Sequence, residues 1–237
     1  MGELEKLELE IKKQENKEKA KLLQGFFKTG KGEYGEGDVF LGIVVPIQRK
    51  ISQEFKNLEM SGIQKLLSSD IHEKRLIALF ILIEQYKKAK KEKDEEKKKR
   101  IFDFYLANTE QVNNWDLVDL SAPNIVGDYL MDKKREILYK LSKSKNLWER
   151  RISVLATFTF IRNNQFEDSI KLAEILLKDK HDLIQKAAGW MLREIGKRNQ
   201  EVEEEFLRKH YKLMGRTMLR YAIEKFDEEK RKFYLEK

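Results

Sequence analysis

WERRISVLATFTFIR, residues 148 to 162, decides the fold. Its apolar side chains continue almost all round, which marks a helix enclosed by others rather than one lying on a surface. Arg150 and Arg151 stand in its first turn, where cations are slightly disfavoured by the helix dipole, so their placement needs a reason other than helix stability. Two other stretches have the same build: EKRLIALFIL from Glu73 and IQKAAGWMLR from Ile184. Each begins with charge and continues as a small-and-apolar inner helix. With Arg75, Asn113, Arg151, Lys186 and Arg220 as anchors, successive gaps are about 34 to 38 residues, near the period of two-helix solenoid repeats. Such repeats stack on one continuous core and line a concave wall with their inner helices, so basic groups recurring along that wall would follow a phosphate backbone.

Composition agrees with an all-α chain. Leu, Ile, Lys and Glu dominate, with 12 glycines and 2 prolines in 237 residues. Charged residues make up 38% and the formal net charge is +8, a sign that suits a polyanionic partner but also arises from solvated lysine-rich helices. There is no cysteine, which excludes disulfides and thiolate metal sites. His72, His181 and His210 are far apart in sequence, so no metal centre and no cofactor is expected. No apolar run is long enough to span a bilayer, and the charged, periodic N-terminus resembles no targeting peptide. The expected setting is cytoplasmic, and nothing argues for more than a monomer.

One repeat domain is expected over 1–237. Residues 1–24 form a charged helix with Leu4, Leu7 and Ile11 on one stripe, 25–37 a glycine-rich loop, and 38–237 the helical repeats. The loop holds five of the glycines together with Phe26, Phe27, Tyr34, Lys28 and Lys31. Two readings stand for it: a strand-gripping loop, or an inter-helix connection whose aromatics enter the core. Asp38 is expected to cap an element over 39–45, and Pro46 to sit in the first turn of a helix running to Phe55. The run KKAKKEKDEEKKKR from Lys87 reads as a solvated helix–helix connection. Between the lysine-rich regions lies Asn114-Trp115-Asp116-Leu117-Val118-Asp119-Leu120-Ser121-Ala122-Pro123, a helix on which Trp115, Val118 and Asp119 share a face and which Pro123 should end. By its own residues Trp115 is either core or site, and Asp116 and Asp119 are either dipole-matched acids or chemistry.

Five stretches together resemble a known family: FFKTGKGEYGEGDVFLGIVVP from Phe26, WDLVD from Trp115, LWERR from Leu147, IQKAAGWMLREIGK from Ile184 and RTMLRYAIEKF from Arg216. The chain is similar, from about Ala20 to Phe226, to the DNA alkylation repair glycosylases of the AlkD type. The resemblance implies a right-handed superhelical solenoid of HEAT-like repeats with a concave basic face. It implies excision of cationic N3- or N7-alkylated purines from double-stranded DNA, without base flipping. It gives Asp119 the catalytic aspartate role, Trp115 and Trp190 the two tryptophans, and Arg151 a forked hold on the phosphate beside the lesion. Tyr34 matches the family's N-terminal aromatic. Arg150, Lys186 and Arg193 are further candidate DNA contacts. Val44 stands where some members carry a glutamine, so one DNA contact is missing. The alternative is a non-catalytic helical-repeat protein that binds DNA by shape and charge.

Overall fold

The computed structural model describes residues 1–236, and the chain divides into two compact units, 1–117 and 118–237. Fourteen α-helices account for the secondary structure of the described residues, apart from short irregular turns and one isolated bridge between Val39 and Ile71. The all-α expectation is met.

In the first unit the helices are α1 (Glu3–Lys13), α2 (Lys17–Phe26), α3 (Val45–Glu54), α4 (Met60–Leu67), α5 (His72–Glu92) and α6 (Glu95–Ala107). The next helix, α7 (Trp115–Ala122), begins at its end. The inner helix is α5, against which α3, α4 and α6 pack. Leu76 to Ile83 are all buried, as the unbroken apolar run demands. The lysine-rich run is the α5–α6 connection: Lys93 adopts the left-handed conformation that ends α5, and Asp94 caps α6 by accepting from Lys97 N. Its lysines pair with acids along the helices, as in the exposed Lys99–Asp103 and in Lys98–Glu95, where the lysine is largely covered.

Two expectations are corrected here and a third is extended. The charged N-terminal stretch is two helices, because Asn16 turns the chain: its side chain accepts from Lys19 N and its backbone N–H donates to the Leu41 carbonyl. Gly42 makes that approach possible. Its φ is +82°, and a Cβ there would stand 2.1 Å from the Asn16 carbonyl oxygen. Asp38 caps nothing. It is buried, and residues 39–44 form no helix but an irregular segment that turns at Gly42, with the N–H groups of Leu41, Gly42 and Ile43 donating to the buried carboxylate of Glu73. Pro123 does end the α-helix, which closes at Ala122, but the chain does not leave the helical path there. The proline opens a π-helical turn, Pro123–Gly127, whose Ile125 and Val126 are buried and hold the chain in place.

The second unit contains α8 (Glu136–Leu141), α9 (Leu147–Arg162), α10 (Glu167–Ile175), α11 (Asp182–Gly196), α12 (Gln200–His210), α13 (Arg216–Ala222) and α14 (Glu228–Leu235). Helices α9, α11 and α13 pack in series, while α8 lies on α9, α10 on both α9 and α11, and α12 on α11. This is the paired layering expected of helical repeats. The π-turn sits against α9, where Gly127 meets the Ala156 carbonyl and Thr159 Oγ1 donates to the Pro123 carbonyl. Helix α14 was not anticipated; its Tyr234 closes the core formed by Phe206, Met218 and Leu219.

Glu203 on α12 is buried in that region, and its Oε1 has no hydrogen-bond partner. Burial, assisted by Glu204, pushes its pKa up to about 8 against a partial offset from Arg193. The folded state therefore holds this proton more tightly than the unfolded chain does. Stability falls as pH rises from about 4.5 to about 8, by something on the order of 4 kcal/mol in total. Glu203→Gln should raise the melting temperature at pH 9 by at least about 5 °C, with the gain vanishing near pH 4, as thermal melts across that range will read.

Candidate active site

In the second unit the centre is an ion pair. Arg151 lies in the second turn of α9, and its fork meets both oxygens of Asp119: Nε donates to Oδ1 at 2.8 Å and Nη2 to Oδ2 at 2.7 Å. Nη1 donates to the Leu183 carbonyl in the first turn of α11. The arginine side chain is 6% exposed and that of Asp119 15%. The carboxylate is thus held in one orientation by a bidentate partner, with part of its surface still open to solvent. The cations in the first turns of α9 now have their reason. Arg151 answers Asp119, and Arg150 donates to Asp179 at 2.8 Å and to the carbonyls of Ser144 and Lys145. In the protein without DNA, Nε, Nη1 and Nη2 of Arg151 each make one bond within the chain, and its expected fork on a DNA phosphate would use the second N–H that each terminal nitrogen keeps.

Trp190 follows on α11. It is half-buried, its Nε1 donates to Glu194 Oε1 at 3.0 Å, and its ring lies 5.6 Å from that of Phe158. Lys186 pairs with Asp182 one turn away, and Arg193 pairs with Glu224 and Glu194. Pairs as open as Lys186–Asp182 hold weakly and can exchange for another anion.

Trp115 belongs to the first unit and is half-buried. Phe27 stacks on its indole at 5.3 Å, and the exposed Phe26 meets it edge-on at 6.0 Å. The glycine-rich loop thus contributes one aromatic to the core and leaves one outside. Tyr34 is half-buried in that loop, and Val44 is the residue before α3. Beneath Phe27 lies a charged cluster that the sequence did not reveal. His72, 2% exposed, is bound through Nδ1 to Asp38 at 3.0 Å and through Nε2 to Asp116 at 2.9 Å. Arg75 donates to the other oxygen of Asp38 at 2.5 Å, and Asn114 donates to Asp38 at 3.1 Å. One signal could have exposed it: Asn114 and Asp116 put polar groups on both sides of Trp115 in an otherwise apolar segment. Among the described residues no group of three or more His, Asp or Glu is placed to hold a metal, and no helix is long and apolar enough to cross a membrane.

Stacked helical pairs that carry an arginine-held aspartate and a half-open tryptophan define a helical-repeat protein with a built polar site. The chain belongs to the DNA alkylation repair enzyme family, whose model it matches over residues 7–226. Its fold is similar to that of a predicted DNA alkylation repair enzyme from Enterococcus faecalis, with a TM-score of 0.69 and 18% identity over 91% of this chain and 98% of that one. It is also similar to smu.31 from Streptococcus mutans UA159, with a TM-score of 0.55 and 19% identity over 95% of this chain and all of the other. No curated protein matches the chain. Family membership makes DNA repair the role of this protein and DNA its substrate.

The ion pair itself can be tested. Arg151→Met strands a nearly buried carboxylate and should cost about 3 kcal/mol or more, whereas the double variant with Asp119→Asn should recover part of that loss. Urea unfolding of the wild type, the two single variants and the double variant measures the coupling. A value near zero would mean that the fork contributes no net stability.

Proposed function

We propose that the protein is a monomeric, cytoplasmic DNA glycosylase that hydrolyses the N-glycosidic bond of cationic N3- or N7-alkylated purines in duplex DNA, without metal or cofactor. A purine alkylated at N7 or N3 already carries positive charge and leaves without protonation. The group that needs stabilising is the deoxyribose, which becomes oxocarbenium-like as the bond breaks, as in glycoside hydrolysis. A carboxylate about 4 Å from that charge, at an effective dielectric of about 20, attracts it by roughly 4 kcal/mol. Expressed only in the transition state, that is worth on the order of a thousandfold in rate. Asp119 supplies the carboxylate and orients the attacking water.

The observation that carries the reading is the fork of Arg151 on Asp119, because electrostatic stabilisation requires donors and charges fixed before the reaction begins. Arg151 offsets part of the negative charge, and in exchange both oxygens keep their places. Trp115, one turn before Asp119 on α7, and Trp190 on α11 take the two tryptophan roles that the family resemblance implies, each worth a cation–π contribution of about 0.5–2 kcal/mol to a sugar turning positive. Lys186, Arg193, Arg150 and Tyr34 are the phosphate-side contacts in this reading, with Lys186 the readiest to exchange its partner. The modified base stays stacked in the duplex, so no pocket sieves its size.

Methylated duplex DNA incubated with the purified protein should release 7-methylguanine or 3-methyladenine in the presence of a chelator. Asp119→Asn should lower single-turnover release by about a thousandfold, measured below the melting temperature of the variant. Binding with no release from any alkylated duplex would select the non-catalytic alternative.

Affinity for duplex DNA should also fall steeply with salt. With about six phosphates neutralised, the dissociation constant should rise roughly a thousandfold between about 50 and 200 mM salt, and fluorescence anisotropy will read the slope. A flat response would remove DNA as the polyanion that the excess positive charge serves.

A further inference from the structure

The buried charge cluster in the first unit does no work in the reading above, yet every part of it leads to Trp115. The backbone N–H of Trp115 donates to Asn114 Oδ1 at 2.8 Å, and the amide of Asn114 donates to Asp38. On the other side, Asp116 accepts from Leu117 N through one oxygen and meets His72 through the other. Both chain neighbours of the indole are therefore anchored to the Asp38–His72 pair. The ring is reached by a second route. Phe40 stacks on the imidazole at 4.6 Å, Phe27 lies against the imidazole at 4.8 Å, and Phe27 stacks on Trp115 at 5.3 Å with only 18° between the planes.

We propose that Asp38, His72 and Asp116 form a clamp that fixes the angle of the Trp115 indole, which makes His72 a positioning residue for the reaction at the neighbouring sugar. The proposal rests on the glycosylase reading for the reaction, but not for the clamp. A histidine held at both nitrogens by carboxylates cannot rotate; its flat face carries Phe40 at 22°, Phe27 stacks on Phe40 at 20°, and Phe27 in turn sets the plane of the indole. A neutral imidazole can donate to only one of the two acids, and its other nitrogen then turns a lone pair toward a carboxylate. The clamp is thus closed only while the ring is protonated.

The groups facing His72 are Asp38 from the irregular segment before α3, Asp116 from α7, and Arg75 and Glu73 on its own helix; α2 and α3 present the uncharged Leu23 and Gln48. Burial opposes the charged ring, but the hydrogen bonds to Asp116 and Asp38 outweigh it and push the pKa up to about 9. The sign follows from that direction. The clamp is intact at neutral pH and is lost as pH rises through about 9.

The test uses the full chain labelled with 5-fluorotryptophan, whose three tryptophans give three fluorine resonances assignable by single Trp→Phe variants. The Trp115 resonance should titrate with a midpoint near pH 9, while those of Trp148 and Trp190 stay flat. In His72→Gln the titration should vanish and the Trp115 resonance should shift or broaden at pH 7. Single-turnover base release should fall roughly ten- to a hundredfold in that variant, with DNA affinity within about twofold of wild type. A Trp115 resonance that ignores both pH 9 and the His72 substitution overturns the clamp. A displaced indole with an unchanged release rate overturns its part in the reaction. If the resonance behaves as expected but wild type releases no base, the clamp stands and the glycosylase reading fails. Should His72→Gln not fold, the wild-type titration decides the clamp, and wild-type release must fall through the same pH midpoint for its part in the reaction to survive.

Discussion

Charge taken out of water must be paired, and α7 is where this chain meets that constraint twice. Asp116 near its start is answered by His72, and Asp119 one turn later by Arg151. A carboxylate left alone at such depth would cost several kcal/mol, so each acid dictates a cation elsewhere in its own unit. Those cations stand at or near the N-termini of the inner helices α5 and α9, where the helix dipole alone would prefer acids. The local helix preference is overruled by a partner 44 positions away for His72 and 32 positions away for Arg151.

This explains which parts of the structure were legible from the residues. The inner helices were, because an apolar run such as that from Leu76 to Ile83 has no other stable home. The start of α3 at Pro46 and the turn inside the lysine-rich run were also legible, since both depend on residues next to one another in sequence. The break at Asn16 was not, because its cause is the distant Leu41–Gly42 segment pressing against it. Asp38 looked like a cap because nothing local disclosed His72, Arg75 and Asn114 as its partners. At the candidate site, Asp119 and Arg151 were picked out one by one through resemblance. What escaped was that they hold each other, since side-chain pairing between helices leaves no periodic trace.

The two pairs also differ in kind. Asp38, at the centre of the His72 cluster, is sealed, its side chain 4% exposed, which suits a rigid support, while Asp116 at the edge of that cluster keeps 11%. Asp119 is tethered at both oxygens yet keeps a solvent-facing edge, which suits a group that must meet something arriving from outside. A sealed carboxylate such as Asp38 and one that keeps an open edge such as Asp119 call for different readings, although both are written as an aspartate beside a cation.

The turn at Pro123–Gly127 carries one more consequence. A π-turn holds a surplus residue relative to regular α-helix, and each helical residue advances the direction of its side chain by about 100°. That surplus sets the phase in which Gly127 meets the Ala156 carbonyl, while the Asn124 side chain donates to Leu120 O inside the widened loop. Excision of a single codon here would restore regular α-helix, swing the following residues about a quarter-turn and bring a side chain where only hydrogen fits. A surface connection can gain or lose a residue without moving the core, but the length of this buried stretch is fixed by angular registry.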